Sequence, residues 1–215
     1  MHNFGLYIVM TNPRLGYHAF TQICVELKVP MLQLRDKSLN DSDLLKLARS
    51  LKQITKDCKT RLIINDRVDI CELSDADGLH LGPEDLPWQD ARKIMTEGRI
   101  IGVSTHSLQE AQRLIIEVAE APEGYRPDYM SFGPIFPTVA KAKPDPPVGT
   151  ELLQRVIGQA PIPLVAIGGI FPQNQSQVLS TGAKNLCMIR HFGESSSANE
   201  LITKIQLFNQ DLKEL

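Results

Sequence analysis

Short apolar runs alternate with longer amphipathic ones along almost the whole chain. Leu6-Tyr7-Ile8-Val9-Met10 and Met31-Leu32-Gln33-Leu34 read as buried strands. Similar runs at 61–64, 77–81, 100–103, 128–132, 163–167 and 186–189 bring the predicted strands to eight. Helices are predicted between them. One covers 17–27, and a second starts at Asn40 or Asp41 and gathers Leu44, Leu45, Leu47, Ala48 and Leu51 on one face. A short helix covers 67–73, and another opens at Leu86-Pro87, with proline in its first turn, and runs to Met95. Ser107 and Glu110 predict a capping box for a helix over 108–121. Helices over 172–180 and 197–212 complete the pattern, and the longest irregular stretch, 133–147, is rich in Pro and Lys.

Strands separated by helices pair in parallel, because each return crossing needs about a dozen residues. A repeat of roughly 25 to 30 residues, near eight times over, predicts an α/β fold: the parallel eight-stranded (β/α)8 TIM barrel. An open doubly wound sheet would call for a Gly-rich first turn, which this chain lacks. No linker or low-complexity tract interrupts residues 1–215, so a single barrel domain is expected.

Composition then narrows the partners. At 42% hydrophobic and 22% charged residues the chain is an ordinary globular one. A net charge of −2 provides no long-range positive field for nucleic acid or membrane, so neither is an expected partner. Any phosphate must be held by a few positioned cations. Cys24, Cys58, Cys71 and Cys187 form no CxxC pair and read as reduced thiols of a cytoplasmic protein. The start of the chain lacks a cationic segment leading into an apolar one, and no apolar run approaches the roughly 20 residues that span a bilayer. The oligomeric state is left open, a homo-oligomer included.

Barrels of this kind carry their active sites at the C-terminal rim of the strands. Gln33, Arg35 and Lys37 share one side of the second strand and its extension. Asn65 and Asp66 follow the third strand, and His80, Gly82 and Asp85 mark the end of the fourth. Ser104-Thr105-His106 ends the fifth, Thr138 and Lys141 follow the sixth, Gly168-Gly169 the seventh and Arg190-His191 the eighth. Three cations, Arg35, Lys37 and Lys141, suit a pyrophosphate, which Arg35 can grip bidentately. Two carboxylates, Asp66 and Asp85, suit Mg²⁺. A diphosphate neutralised in this way is a good leaving group. Gly168-Gly169-Ile170, just before a helix start, reads either as a second anion site or as a plain turn. His2 and His18 read as surface residues, His80 as a hydrogen-bonded barrel residue, Trp88 as packing, and Lys143 as a solvated loop charge.

Several of these pieces form an ordered series over nearly the whole chain. They are Gln33-Leu-Arg-Asp-Lys37, Asn65-Asp-Arg-Val-Asp69, Ala76-Asp-Gly-Leu-His-Leu-Gly82 with Asp85-Leu-Pro87, and Ile101-Gly-Val-Ser-Thr-His-Ser107. Asp128-Tyr, Phe132-Gly-Pro-Ile-Phe-Pro-Thr138 with Lys141, Pro147-Val-Gly149 and Ala166-Ile-Gly-Gly-Ile170 continue it. The series resembles the thiamine phosphate synthase (thiamine-phosphate pyrophosphorylase) family. The resemblance implies a transferase that joins 4-amino-2-methyl-5-hydroxymethylpyrimidine diphosphate to a thiazole phosphate or its carboxylated precursor. The products would be thiamine phosphate and pyrophosphate, with a pyrimidine methyl cation captured by the thiazole nitrogen. At the matching positions it implies Asp66 and Asp85 as Mg²⁺ ligands. Arg35, Lys37, Asn65, Ser104 and Lys141 would hold the diphosphate, with Gln33 near the pyrimidine. Thr138 and Gly169, helped by backbone after Ile189, would hold the thiazole phosphate.

The chain departs from that pattern at four places. Ala140 stands where a threonine is usual, Pro83 where Gln is common, Asn12 where Asp is common, and His191 where a small residue is usual. One missing hydroxyl bond to a charged group costs about 1.5–3 kcal/mol. Two alternatives therefore stay open: a thiazole tautomerase, which would need a His in place of Pro134, and a non-catalytic paralogue that binds phosphorylated thiamine precursors.

Overall fold

Eight parallel strands taken in chain order close into a barrel in the computed structural model, which describes residues 3–138 and 145–212. The strands are β1 (Leu6–Met10), β2 (Met31–Leu34), β3 (Arg61–Asn65), β4 (Gly78–Leu81), β5 (Ile100–Thr105), β6 (Tyr129–Phe132), β7 (Leu164–Ile167) and β8 (Asn185–Met188). Alternating with them are α1 (Tyr17–Glu26), α2 (Asp41–Thr55), α3 (Val68–Ser74), α4 (Trp88–Ile94), α5 (Leu108–Glu120), α6 (Gly149–Ile157) and α7 (Pro172–Leu179), and then α8 (Arg190–Gly193) and α9 (Ala198–Asp211). β1, β2, β4, β6 and β8 are buried at every residue. Strands covered on both faces read as unbroken apolar runs, which is why all eight were legible. Among the described residues, no helix is long and apolar enough to cross a membrane.

The helix ends correct the sequence reading in detail. Asn40 rather than Asp41 caps α2, accepting from the Asp43 amide at 3.0 Å. Pro87 is the cap residue of α4, one place before the helical turn expected to hold it. Ser107 caps α5 as expected, but the Glu110 carboxylate reaches back to the His106 amide at 2.8 Å instead of closing the box on Ser107. Two helices were not predicted. α6 buries Leu153 and Val156, a period hidden behind the Pro-rich stretch, and α8 has only four residues, too few to show one.

The chain divides into two compact units, with boundaries in β4 and β8. The unit made of 5–79 and 188–212 holds β1 to β3. In it Val9 pairs with Gln33, which pairs with Ile63. Gln33, 3% exposed, donates to the Tyr7 hydroxyl at 2.7 Å. The ladder runs one residue past β2, because Arg35 N donates to Met10 O at 3.0 Å, and this step carries Arg35 to the rim. At the opposite end Asp77 accepts from Lys52 at 2.9 Å and from the Leu62 amide at 2.9 Å.

The unit made of 3–4, 80–138 and 145–187 holds β5 to β7. A Cβ on Gly102 would lie 2.0 Å from Tyr129 Cζ, so only glycine leaves room for that ring. Arg92 donates to the carbonyls of Arg99 and Arg126 and to Asp128, tying the strand starts together. Trp88 is buried as expected, and its Nε1 donates to Glu117 of α5 at 3.2 Å.

Candidate active site

In the unit carrying β1 to β3, the loops after β2 and β3 come into contact. Lys37 Nζ lies 3.1 Å from Asp66 Oδ2. Asp36, between Arg35 and Lys37, accepts from the Tyr17 hydroxyl at 2.8 Å and from Ser38 N and Oγ at 2.9 and 2.6 Å. Partial burial works against the Asp36 carboxylate, but these bonds still hold its pKa below the usual range. Burial pushes the Tyr17 hydroxyl up, so it stays a donor. Asp36 thus braces the loop that carries Arg35 and Lys37. Arg35 and Asn65 are half-buried and make no side-chain hydrogen bond or ion pair among the described residues. Asp66 stands at φ 64°, and Arg67 N donates across it to Asn65 O at 2.8 Å.

The same unit holds the end of β8. Ile189 is half-buried and precedes α8. The short helix is tied down from both sides: Arg14 N donates to Gly193 O at 2.9 Å, and Lys204 Nζ donates to His191 O at 2.8 Å. Burial, and then the Lys204 charge, bring the His191 pKa down to about 4. His191 is therefore neutral near pH 7 and adds no charge to this end.

In the other unit, Ser104 belongs to a hydrogen-bonded chain. Its Oγ lies 2.7 Å from His80 Nε2 and 3.2 Å from Ser131 Oγ, and His80 Nδ1 lies 2.9 Å from the Tyr129 hydroxyl. The His80 and Tyr129 rings stack at 5.6 Å. His80 is the hydrogen-bonded barrel residue the sequence indicated, and it also fixes the Ser104 hydroxyl. Asp85 Oδ2 accepts from the Gly82 amide at 2.6 Å, which orients its carboxylate.

The glycine turn after β7 packs against the segment that leads to Thr138. Gly168 and Gly169 have φ 96° and 67°, and a Cβ on Gly169 would meet Phe136 O at 2.7 Å and Pro137 O at 2.8 Å. The absent side chain leaves room for that segment. Asn174 completes the turn, donating to Gly169 O at 2.8 Å while its Oδ1 accepts from Phe171 N at 2.8 Å. Thr138 is half-buried beside this turn's neighbours. Lys141, Ala140, Lys143 and His2 lie outside the described residues.

Sequence reasoning therefore found the strand-end residues and passed over those that hold them: Tyr17, Asp36, Arg67 and Asn174. The one signal available was charge alternation in Asn65-Asp-Arg-Val-Asp69. Among the described residues no group of three or more His, Cys, Asp or Glu is placed to hold a metal ion. Mg²⁺ needs no such group, since it takes one or two carboxylates and completes its shell with water and substrate phosphate. Taken singly, the carboxylate of Asp66 and that of Asp85 each offer the hard oxygens such an ion takes.

The family model described as thiamine monophosphate synthase matches residues 6–192. The chain belongs to that family. It is 41% identical over 192 residues to a thiamine-phosphate synthase of Halalkalibacterium halodurans, covering 88% of this chain and 87% of that one. A thiamine-phosphate synthase of Chlorobium phaeovibrioides is 38% identical, with 92% and 93% covered. The solved thiamine phosphate pyrophosphorylase from Pyrococcus furiosus superposes with a TM-score of 0.82 at 29% identity, covering 99% of this chain and 96% of that one. The thiamine monophosphate synthase match spans all eight strands, so the barrel and the polar strand ends are compared as a whole.

Proposed function

We propose that this chain is a thiamine-phosphate synthase, a transferase of thiamine biosynthesis that works as one domain in the cytoplasm. It joins the pyrimidine diphosphate to the thiazole phosphate and releases pyrophosphate. One observation carries the reading: in a member of this family, the rim cation Lys37 and the rim carboxylate Asp66 meet at 3.1 Å. That is the pairing a diphosphate site needs, because its cations and its metal ligand must face the same leaving group.

In the reaction, Arg35, Lys37 and Lys141 bind the diphosphate, with Asn65 and Ser104 donating hydrogen bonds and Gln33 near the pyrimidine. The methylene C–O bond breaks and its electron pair leaves on the diphosphate. The lone pair of the thiazole nitrogen forms the new C–N bond, so neither a protein nucleophile nor a net proton transfer is required. Asp66 and Asp85 would hold Mg²⁺, whose chemistry there is to neutralise charge on the departing group. Thr138, Gly169 and the backbone after Ile189 hold the thiazole phosphate. Fixed donors aimed at developing charge supply the rate, since they need not reorganise as the bond breaks.

Pro134, buried and unable to carry a proton, argues against the tautomerase. Purified protein given both phosphorylated precursors and Mg²⁺ should release one pyrophosphate per thiamine phosphate formed. Isomerisation of the thiazole alone, or binding of both precursors with no turnover, would overturn the reading.

A further inference from the structure

The turn at Asp66 is strained. An L residue at φ 64°, bridged by a three-residue hydrogen bond, persists only where its surroundings hold it. Arg67 supplies the hold. Its Nε and Nη2 donate to the two oxygens of Asp69 at 2.9 and 2.6 Å, and its Nη1 donates to Asp41. Asp41 opens α2, and Asp69 lies in the first turn of α3. The backbone of Arg67 is fixed as well: its amide closes the turn on Asn65, and its carbonyl accepts from Cys71 N at 3.0 Å to start α3.

We propose that Arg67 is a positioning residue for Asp66: it clamps the starts of α2 and α3 together, and so keeps the strained turn aiming the Asp66 carboxylate at a divalent cation. The inference rests on the reading of Asp66 as a metal ligand. Arginine is required because a planar fork serves two carboxylates at once, whereas a lysine ammonium is a single point. Both carboxylates have pKa values below the ordinary range, chiefly through their bonds to Arg67.

Binding of Mn²⁺, as a paramagnetic stand-in for Mg²⁺, tests this on the full chain with inorganic pyrophosphate present, read by electron paramagnetic resonance. Arg67→Lys and Arg67→Met should weaken Mn²⁺ binding about tenfold, which corresponds to about 1.4 kcal/mol. The KM for the thiazole phosphate should stay at its wild-type value, a split that general loosening of the barrel would not give. Wild-type Mn²⁺ affinity in a folded Arg67→Lys protein overturns the proposal. Should both Arg67 variants fail to fold, Asp41→Asn decides, because that side chain is 75% exposed and removes only one arm of the clamp. It should weaken Mn²⁺ binding about threefold, and unchanged affinity there also overturns the clamp. A wild-type chain that binds no Mn²⁺ with pyrophosphate would overturn the functional reading first, and the clamp with it.

Discussion

Lys37 Nζ and Asp66 Oδ2 are 3.1 Å apart, joining the loops that follow two paired strands. The lysine is 64% exposed and the aspartate 23%, so the pair adds at most about 1 kcal/mol to stability. Its importance is chemical. On the proposed reading, a cation for the diphosphate and a carboxylate for the metal would share one position, each compensating the other's charge.

Asp66→Asn separates charge from backbone. Asparagine tolerates a left-handed φ better than most residues, so the turn should survive and stability should change by less than about 1 kcal/mol. Loss of the charge should lower kcat/KM for pyrophosphate release about ten- to a hundredfold. Steady-state kinetics beside a thermal melt measures both. Wild-type turnover would remove Asp66 from the proposed metal site.

Gly169→Ala probes the turn after β7. The new Cβ would press on the carbonyls of Phe136 and Pro137 at a φ that alanine disfavours. Destabilisation of about 1–3 kcal/mol is expected. The KM for the thiazole phosphate should rise while that for the pyrimidine diphosphate changes little. Equal rises in both would show that the turn does not serve the thiazole phosphate in particular.

Gly102→Ala tests the barrel interior. Tyr129 has no free path away from the new methyl group, because its hydroxyl is held 2.9 Å from His80 and its ring stacks on the imidazole. Overpacking should cost about 1–3 kcal/mol. A fall in the urea midpoint without a change in slope would record it, and an unchanged midpoint would mean the ring has somewhere else to go.

The barrel was legible because its strands are largely covered, which leaves apolar runs too short for helices, set between longer amphipathic stretches. Arg35, Lys37, Asn65 and Asp66 were legible for a related reason: parallel strands put whatever follows them at one kind of end. Helix α6 escaped because Pro146 and Pro147 stand just before it and Gly149 opens it, which blurs its start. The partners of Arg67 and Asp36 escaped for a deeper reason. Arg67 meets Asp41 across 26 positions and Tyr17 meets Asp36 across 19, and such pairings depend on loop paths that periodicity does not describe.

His191 offers a pH test at the end of β8. Its ring packs on Phe192 with centroids 4.8 Å apart, and burial and the Lys204 charge bring its pKa from 6.5 to about 4. The unfolded chain therefore takes up this proton first as pH falls. Stability owed to the neutral ring is whole above about pH 6.5 and is lost as pH drops towards about 4. The ring is only partly buried, so solvent screening reduces the loss to about 1–2 kcal/mol. Melts of wild type and His191→Asn between about pH 7.5 and about pH 4, which covers that window, should show the wild type losing stability faster, because asparagine has no proton to gain. Parallel curves would mean that the imidazole is hydrated in the folded chain, and that the departure from a small residue at this position has no electrostatic consequence.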